Sequence, residues 1–157
     1  MPETPDQSYL TPEGEHRLKT ELEQLEGPRR RELSERLRFA IKQGDLSENA
    51  DYITAKEEQA FLEGRIAEIK AILRQAEIIE APAQTDKVVI GSTVMVQEDG
   101  RPSETYRVVG APEANPRNGL ISNVSPIGRA LLGLAVGEIA VAKTPGGELR
   151  MKILEIK

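Results

Sequence analysis

Tyr52, Ala55, Gln59, Leu62, Ile66, Ile69, Leu73 and Ala76 are spaced by alternating steps of three and four, and seven of these eight positions are apolar. Such a seam predicts a long helix that buries one narrow stripe against a partner helix. Glu57, Glu58, Glu63, Arg65, Glu68, Lys70 and Arg74 make its other faces polar. A second stripe precedes it in Leu18, Leu22 and Leu25, then Leu33, Leu37 and Ala40. The step from Leu25 to Leu33 is eight residues where the repeat asks for seven. The slip falls on Gly27-Pro28, where a missing N–H and a crowding ring bend or break a helix. The pattern therefore predicts one helix over residues 12–43 with a kink near Pro28. Thr11 is its expected cap, Pro12 fits its first turn, and Glu13 and Glu15 face its positive end.

Only Gly44 and a few polar residues separate the two stretches, so the helices should fold back as an antiparallel coiled-coil hairpin. About 30 residues per arm at 1.5 Å each give a finger roughly 45 Å long. The periodicity changes after Glu80. Val88 to Ile90, Thr93 to Gln97, Thr105 to Val109, Gly119 to Ser122, Ile139 to Lys143 and Leu149 to Ile156 alternate with period two and read as strands. Pro145-Gly146-Gly147 is a turn between the last two. Ser125-Pro126 opens a short helix, filled by Ala130, Leu131 and Leu132 and ended by Gly133. The fold class is α+β: a helical hairpin, then a small antiparallel sheet domain with one short helix. The expected divisions are a loose polar tail at 1–10, the finger at 11–80, a linker at 81–86 and the sheet domain at 87–157.

Composition narrows the chemistry. Of the 157 residues, 38% are hydrophobic and 30% are charged, which suits a small core with a solvated extension. There is no cysteine, which excludes disulfides and thiolate metal sites. The single histidine, His16, lies in a charged run and reads as a surface residue. No apolar run approaches the roughly 20 residues that cross a bilayer, and the N-terminus is no signal peptide, so the chain is expected in the cytoplasm without membrane contact. A net charge of −5 argues against free-standing DNA binding, which relies on positive fields.

At the bend stands Gly44-Asp45-Leu46-Ser47-Glu48-Asn49-Ala50-Asp51-Tyr52. Asp45 could cap the second helix while Glu48, three residues on, closes a reciprocal capping box. The same two carboxylates would also be delivered to wherever the finger points. Their oxygens are hard ligands suited to Mg²⁺, although two alone make a weak site.

This motif resembles the finger tip of the GreA/GreB family of bacterial transcript-cleavage factors. The resemblance continues through Ala55-Lys56-Glu57-Glu58-Gln59 and Glu63-Gly64-Arg65-Ile66. It resumes in Ser125-Pro126-Ile127-Gly128-Arg129-Ala130-Leu131-Leu132-Gly133 and in Thr144-Pro145-Gly146-Gly147-Glu148. It thus spans nearly the whole chain, and the absence of an extended basic stripe beside the tip puts it nearer the GreA branch. The resemblance implies a factor that enters the secondary channel of RNA polymerase and stimulates the polymerase's intrinsic cleavage of backtracked RNA, rescuing arrested complexes. It implies that Asp45 and Glu48 help hold a Mg²⁺ ion shared with the polymerase active centre, the chain having no cofactor of its own. It further implies an FKBP-like C-terminal domain that docks at the channel rim through Ser125, Pro126, Ile127, Gly128 and Arg129. The chain would not itself be an enzyme, which agrees with its lack of an evident nucleophile or base.

Ile41 stands before the tip where the family tends to carry arginine, so contact with the nascent RNA 3′ end would fall to Lys42 and Lys56. Arg29, Arg30, Arg31, Arg36 and Arg38 either form a basic group along the finger or neutralise Glu26, Glu32 and Glu35. Three other functions compete. A channel-occluding inhibitor of the polymerase would share this architecture, but it has no need of the Asp45/Glu48 spacing. A peptidyl-prolyl isomerase would need an aromatic-lined pocket, and the second half holds only Tyr106. A coiled-coil adaptor would leave the tip motif and the Ser125 loop without a purpose.

Overall fold

Pro28 does not end the first helical stretch. The computed structural model describes residues 8–45, 48–83 and 85–157. In it, α1 (Pro12–Gln24) passes through a π-helical turn at Leu25–Arg29 straight into α2 (Arg30–Lys42). The Arg30 N–H donates to the Leu25 carbonyl five residues back. A π turn holds one residue more than an α turn, and this absorbs the eight-residue step from Leu25 to Leu33. The stripe therefore stays in phase: Leu22 and Leu25 pack against the buried cluster of Leu33, Leu62 and Ile66.

The partner is α3 (Ala50–Gln75), with Ala55, Leu62, Ile66 and Ile69 buried, as the heptad seam requires. Opposite lie the buried Leu33, Leu37 and Ala40 of α2. Ion pairs flank this narrow core. Arg29 and Arg36 both reach Glu58, at 3.0 and 2.7 Å, and Arg30 reaches Glu63 at 2.7 Å. Arg65 meets Glu21 and Lys70 meets Glu26, each at 2.7 Å. Three of the five arginines of the candidate basic group thus spend their charge across the hairpin on α3. Arg31 and Arg38 make no ion pair among the described residues.

The arginines facing Glu21, Glu58 and Glu63 hold those carboxyls below the ordinary glutamate value, chiefly through the hydrogen bonds they donate. A lowered folded-state pKa contributes stability that is present above the unfolded value, about 4.3 for glutamate, and lost as pH falls through the folded one. The helical signal should therefore melt a few degrees lower at pH 3 than at pH 6, with the loss beginning below about pH 4.3. Added salt should shrink the difference, because the pairs are exposed and screened. A melting temperature that stays flat over this range would remove the ladder from the hairpin's stability.

The chain divides into two compact units, one being His16–Gln75. The other combines the described residues up to Glu15 with Ala76–Lys157. Ser8 to Leu10 of the expected tail, and residues 11–15 and 76–80 of the expected finger, thus group with the sheet unit. Tyr9–Leu10 forms β1, paired in parallel with β2 (Glu77–Ile78), and Leu10 is fully buried. Thr11 caps α1 as expected, its hydroxyl accepting the Gly14 N–H at 3.1 Å. Beyond that expectation, the Glu113 carboxylate accepts from the Thr11 N–H at 2.8 Å, from the Thr11 hydroxyl and from the Gly110 N–H. The first turn of α1 is therefore part of the sheet unit. Residues 1–7 of the expected tail, Leu46 and Ser47 of the tip motif and Gln84 of the linker lie outside the described residues.

The main sheet contains β3 (Thr93–Glu98), β4 (Glu104–Val109), β5 (Leu120–Ser122), β6 (Ile139–Thr144) and β7 (Gly147–Ile156), in the order β5-β4-β3-β7-β6. Neighbours are antiparallel except β4 and β5. There a ten-residue connection with short 3₁₀ turns at Ala111–Glu113 and Pro116–Asn118 returns the chain in the same direction. The expected strand Val88 to Ile90 does not form. Val88 is buried and exchanges backbone bonds with Gly133 and Leu134, after which Gly91, at φ +97°, turns the chain into β3. Val94, Val96, Val108, Ile121, Ala140, Ala142, Met151 and Ile153 form the core with Leu131 of α4 (Pro126–Leu131).

Candidate functional site

The bend of the hairpin is built from Ala40 onward. The Gln43 N–H donates to the Ala40 carbonyl at 3.1 Å, and Gly44 adopts φ +116°, a left-handed conformation that glycine enters without a Cβ penalty. Asp45 follows, exposed. Glu48 is likewise exposed and lies two residues before the first residue of α3.

Asn49 caps α3, its Oδ1 accepting the Tyr52 N–H at 3.1 Å. The expected capping box of Asp45 and Glu48 is therefore replaced. The helix begins at Ala50, so the residue with capping geometry is the one immediately before it. Asn49 makes a second bond that aspartate could not make: its Nδ2 donates to the Ala40 carbonyl at 2.8 Å, reaching back across the bend to α2. Asp51, in the first turn of α3, complements the helix dipole.

The bend offers two exposed carboxylates. Among the described residues, no group of three histidine, cysteine, aspartate or glutamate side chains could hold a metal ion. Mg²⁺ favours six oxygens in a near-ideal octahedron, more than these two carboxylates supply. Of the expected RNA contacts, Lys42 is exposed in the last turn of α2. Lys56 is exposed one turn into α3, its ammonium 5.9 Å from the centre of the Tyr52 ring and 3.4 Å from Gln59 Oε1. Ile41 is 54% exposed, so the position beside Lys42 presents an apolar surface. His16 is exposed, as expected.

In the sheet unit, the five residues expected to dock divide by environment. Ser125 caps α4: its Oγ accepts the Gly128 N–H at 3.1 Å and donates to the Ser122 carbonyl at 2.7 Å. Gly128 is buried, and Ile127 is half-buried against the core. Pro126 and Arg129 are the exposed members. Beside them Val124 is 46% exposed, an apolar residue that pattern reading passed over because it sits outside any period. The surface of this loop is thus Val124, Pro126 and Arg129, held from beneath by Ser125, Ile127 and Gly128.

Residues 8–78 match a family model described as transcription elongation factor, N-terminal, and residues 83–157 match one described as transcription elongation factor, GreA/GreB, C-term. The chain is 47% identical to transcription elongation factor GreA of Halalkalibacterium halodurans, over 95% of this chain and 96% of that protein. It is 49% identical to transcription elongation factor GreA of Chloroflexus aggregans, over 96% of this chain and 97% of that one. Among solved structures, GreA factor homolog 1 of Thermus thermophilus is 30% identical over 96% of this chain and 99% of that one, with a TM-score of 0.44.

Proposed function

The chain belongs to the GreA/GreB family of transcription elongation factors, and on that premise we propose that it enters the secondary channel of RNA polymerase and promotes the polymerase's own cleavage of backtracked RNA. The observation that carries this reading is the cap. Asn49 serves the N-terminus of α3, so that task does not fall to Asp45 or Glu48, and both stand exposed at the bend. Two anionic side chains at a bend between helices are suited to donation into another protein's site.

In the polymerase active centre, a shared Mg²⁺ would lower the pKa of a water and offset charge at the scissile phosphate. Asp45 and Glu48 contribute oxygens to that site from outside it. Lys42 and Lys56 flank the bend and offer cations to the RNA 3′ end. Val124, Pro126 and Arg129 form the exposed surface for the channel rim. Names of the relatives favour an elongation factor over an occluding inhibitor. On this reading the free chain binds Mg²⁺ weakly and cuts no RNA. Tight calorimetric binding of Mg²⁺, or RNA hydrolysis without polymerase, would contradict it.

The test is a stalled, backtracked elongation complex carrying labelled RNA. Adding the purified chain should shorten the RNA from its 3′ end. Unchanged RNA at saturating chain would sink the proposal, and a block of extension without shortening would favour the occluder.

A further inference from the structure

Asn49 performs two tasks at once, and the second has no counterpart in helix capping. Its Oδ1 closes the first turn of α3 through the Tyr52 N–H, while its Nδ2 donates 2.8 Å to the Ala40 carbonyl near the end of α2. That carbonyl already accepts the Gln43 N–H at 3.1 Å, so both of its acceptor directions are used. Ala40 itself is 1% exposed, packed inside the hairpin. The side chain of Asn49 therefore staples the last turn of one arm to the first turn of the other.

Only a side chain with one acceptor and one donor fits this place. The C-terminus of α2 presents carbonyls and the negative end of a dipole, and the N-terminus of α3 presents N–H groups and the positive end. A carboxylate would satisfy α3 and be repelled by the Ala40 carbonyl. A serine would satisfy α3 and be too short to span to α2.

We infer that Asn49 is a positioning residue for the acidic pair: by joining Ala40 of α2 to Tyr52 of α3 it fixes the bend from which Asp45 and Glu48 are presented. The inference rests on the function proposed above. Glu48 is its immediate chain neighbour, and Asp45 lies in sequence between Ala40 and Tyr52, the two residues that Asn49 joins.

Asn49→Asp and Asn49→Ser separate the two tasks, because aspartate and serine cap helices about as well as asparagine. Both variants should keep the helical signal and melt within a few degrees of the wild type. In the backtracked complex, the concentration giving half-maximal effect should stay within about twofold, since the docking loop is untouched. The cleavage rate at saturating factor should fall about tenfold or more, because ångström-scale misplacement of a reacting group costs up to about a hundredfold. The Mg²⁺ concentration for half-maximal cleavage should rise in parallel.

A residue that merely stabilised the fold would move the half-maximal concentration and leave the saturated rate intact. A saturated rate within about twofold of wild type for either variant overturns the inference. Unfolding of either variant overturns it too, since the contact to Ala40 would then carry the hairpin itself. Asp45→Asn runs alongside as the reference. If it cleaves normally, the role proposed for Asp45 fails, and with it the reason to position that side chain. If it is inactive while the Asn49 variants cleave normally, only the staple fails.

Discussion

Asp45→Asn and Glu48→Gln should each lower RNA shortening by about a hundredfold or more, a loss of several kcal/mol in charge stabilisation at the polymerase centre. Melting should stay nearly unchanged. Both substitutions keep side-chain size and remove one anionic charge. Had Asp45 capped α3, asparagine would have replaced it almost silently, and glutamine would have kept a capping box. The structure takes capping out of the comparison, because Asn49 holds the Tyr52 N–H and both acidic residues precede the helix. With capping of α3 set aside, the charge presented at the bend is the difference that bears on cleavage. The variants retain Val124, Pro126 and Arg129, so they should still occupy the channel and compete with the wild type for it. The measurement pairs thermal melting with the shortening assay, and a competition arm mixes variant with wild type. Wild-type cleavage by both amide variants would leave the acidic pair without a chemical task.

Sequence pattern reached the parts of this fold whose causes are local. The seam from Tyr52 to Ala76 is legible because period and burial arise within one helix, and Ser125-Pro126 announces α4 because a cap and its N3 partner are three residues apart. At Leu25 to Leu33 the slip was visible and its resolution was not. A proline can break a helix or sit in a widened turn, and packing of Leu22, Leu25 and Leu33 on α3 decides for the latter. Glu113 closing on Thr11 lies 102 residues away along the chain, beyond the reach of any periodicity. Tyr9–Leu10 and Glu77–Ile78 are strands of two residues each, too short to alternate. At the bend, Asp45, Ser47 and Asn49 are all residues that cap helices well, so composition could not choose among them. Asn49 is the one whose Nδ2 donates to the Ala40 carbonyl, and that bond comes from the other arm of the hairpin.

Gly128→Ala should lower the melting temperature of the sheet unit by about 10 °C or more. An alanine Cβ at this position would lie 1.9 Å from the Ser122 carbonyl oxygen and 3.1 Å from Ser125 Oγ. The oxygen has no room to retreat. It accepts the Ser125 hydroxyl at 2.7 Å and the Ser125 N–H at 3.1 Å, and Ser122 pairs with Val109 in the sheet. Relief must come from α4 lifting away, which withdraws the fully buried Leu131 and the half-buried Ile127 from the core. Overpacking of this kind costs about 1–3 kcal/mol, occasionally more, and each kcal/mol moves a small domain by roughly 4–8 °C. The sign is diagnostic, because glycine to alanine inside an open helix should stabilise by about 0.5–1 kcal/mol. Gly64 in α3 provides that control, with nothing within 4 Å of the added Cβ. Gly64→Ala should therefore raise the melting temperature while Gly128→Ala lowers it, and hydrogen exchange in β3 and β7 should show the sheet unit opening only in the latter. Arg129→Glu completes the series. Exposed and without a buried partner, it should leave melting unchanged and weaken association with polymerase, so a loss of binding in Gly128→Ala traces to the scaffold beneath the loop. If Gly128→Ala melts at or above the wild-type temperature, the packing argument is wrong, and Gly128 returns to the docking surface proposed for the polymerase.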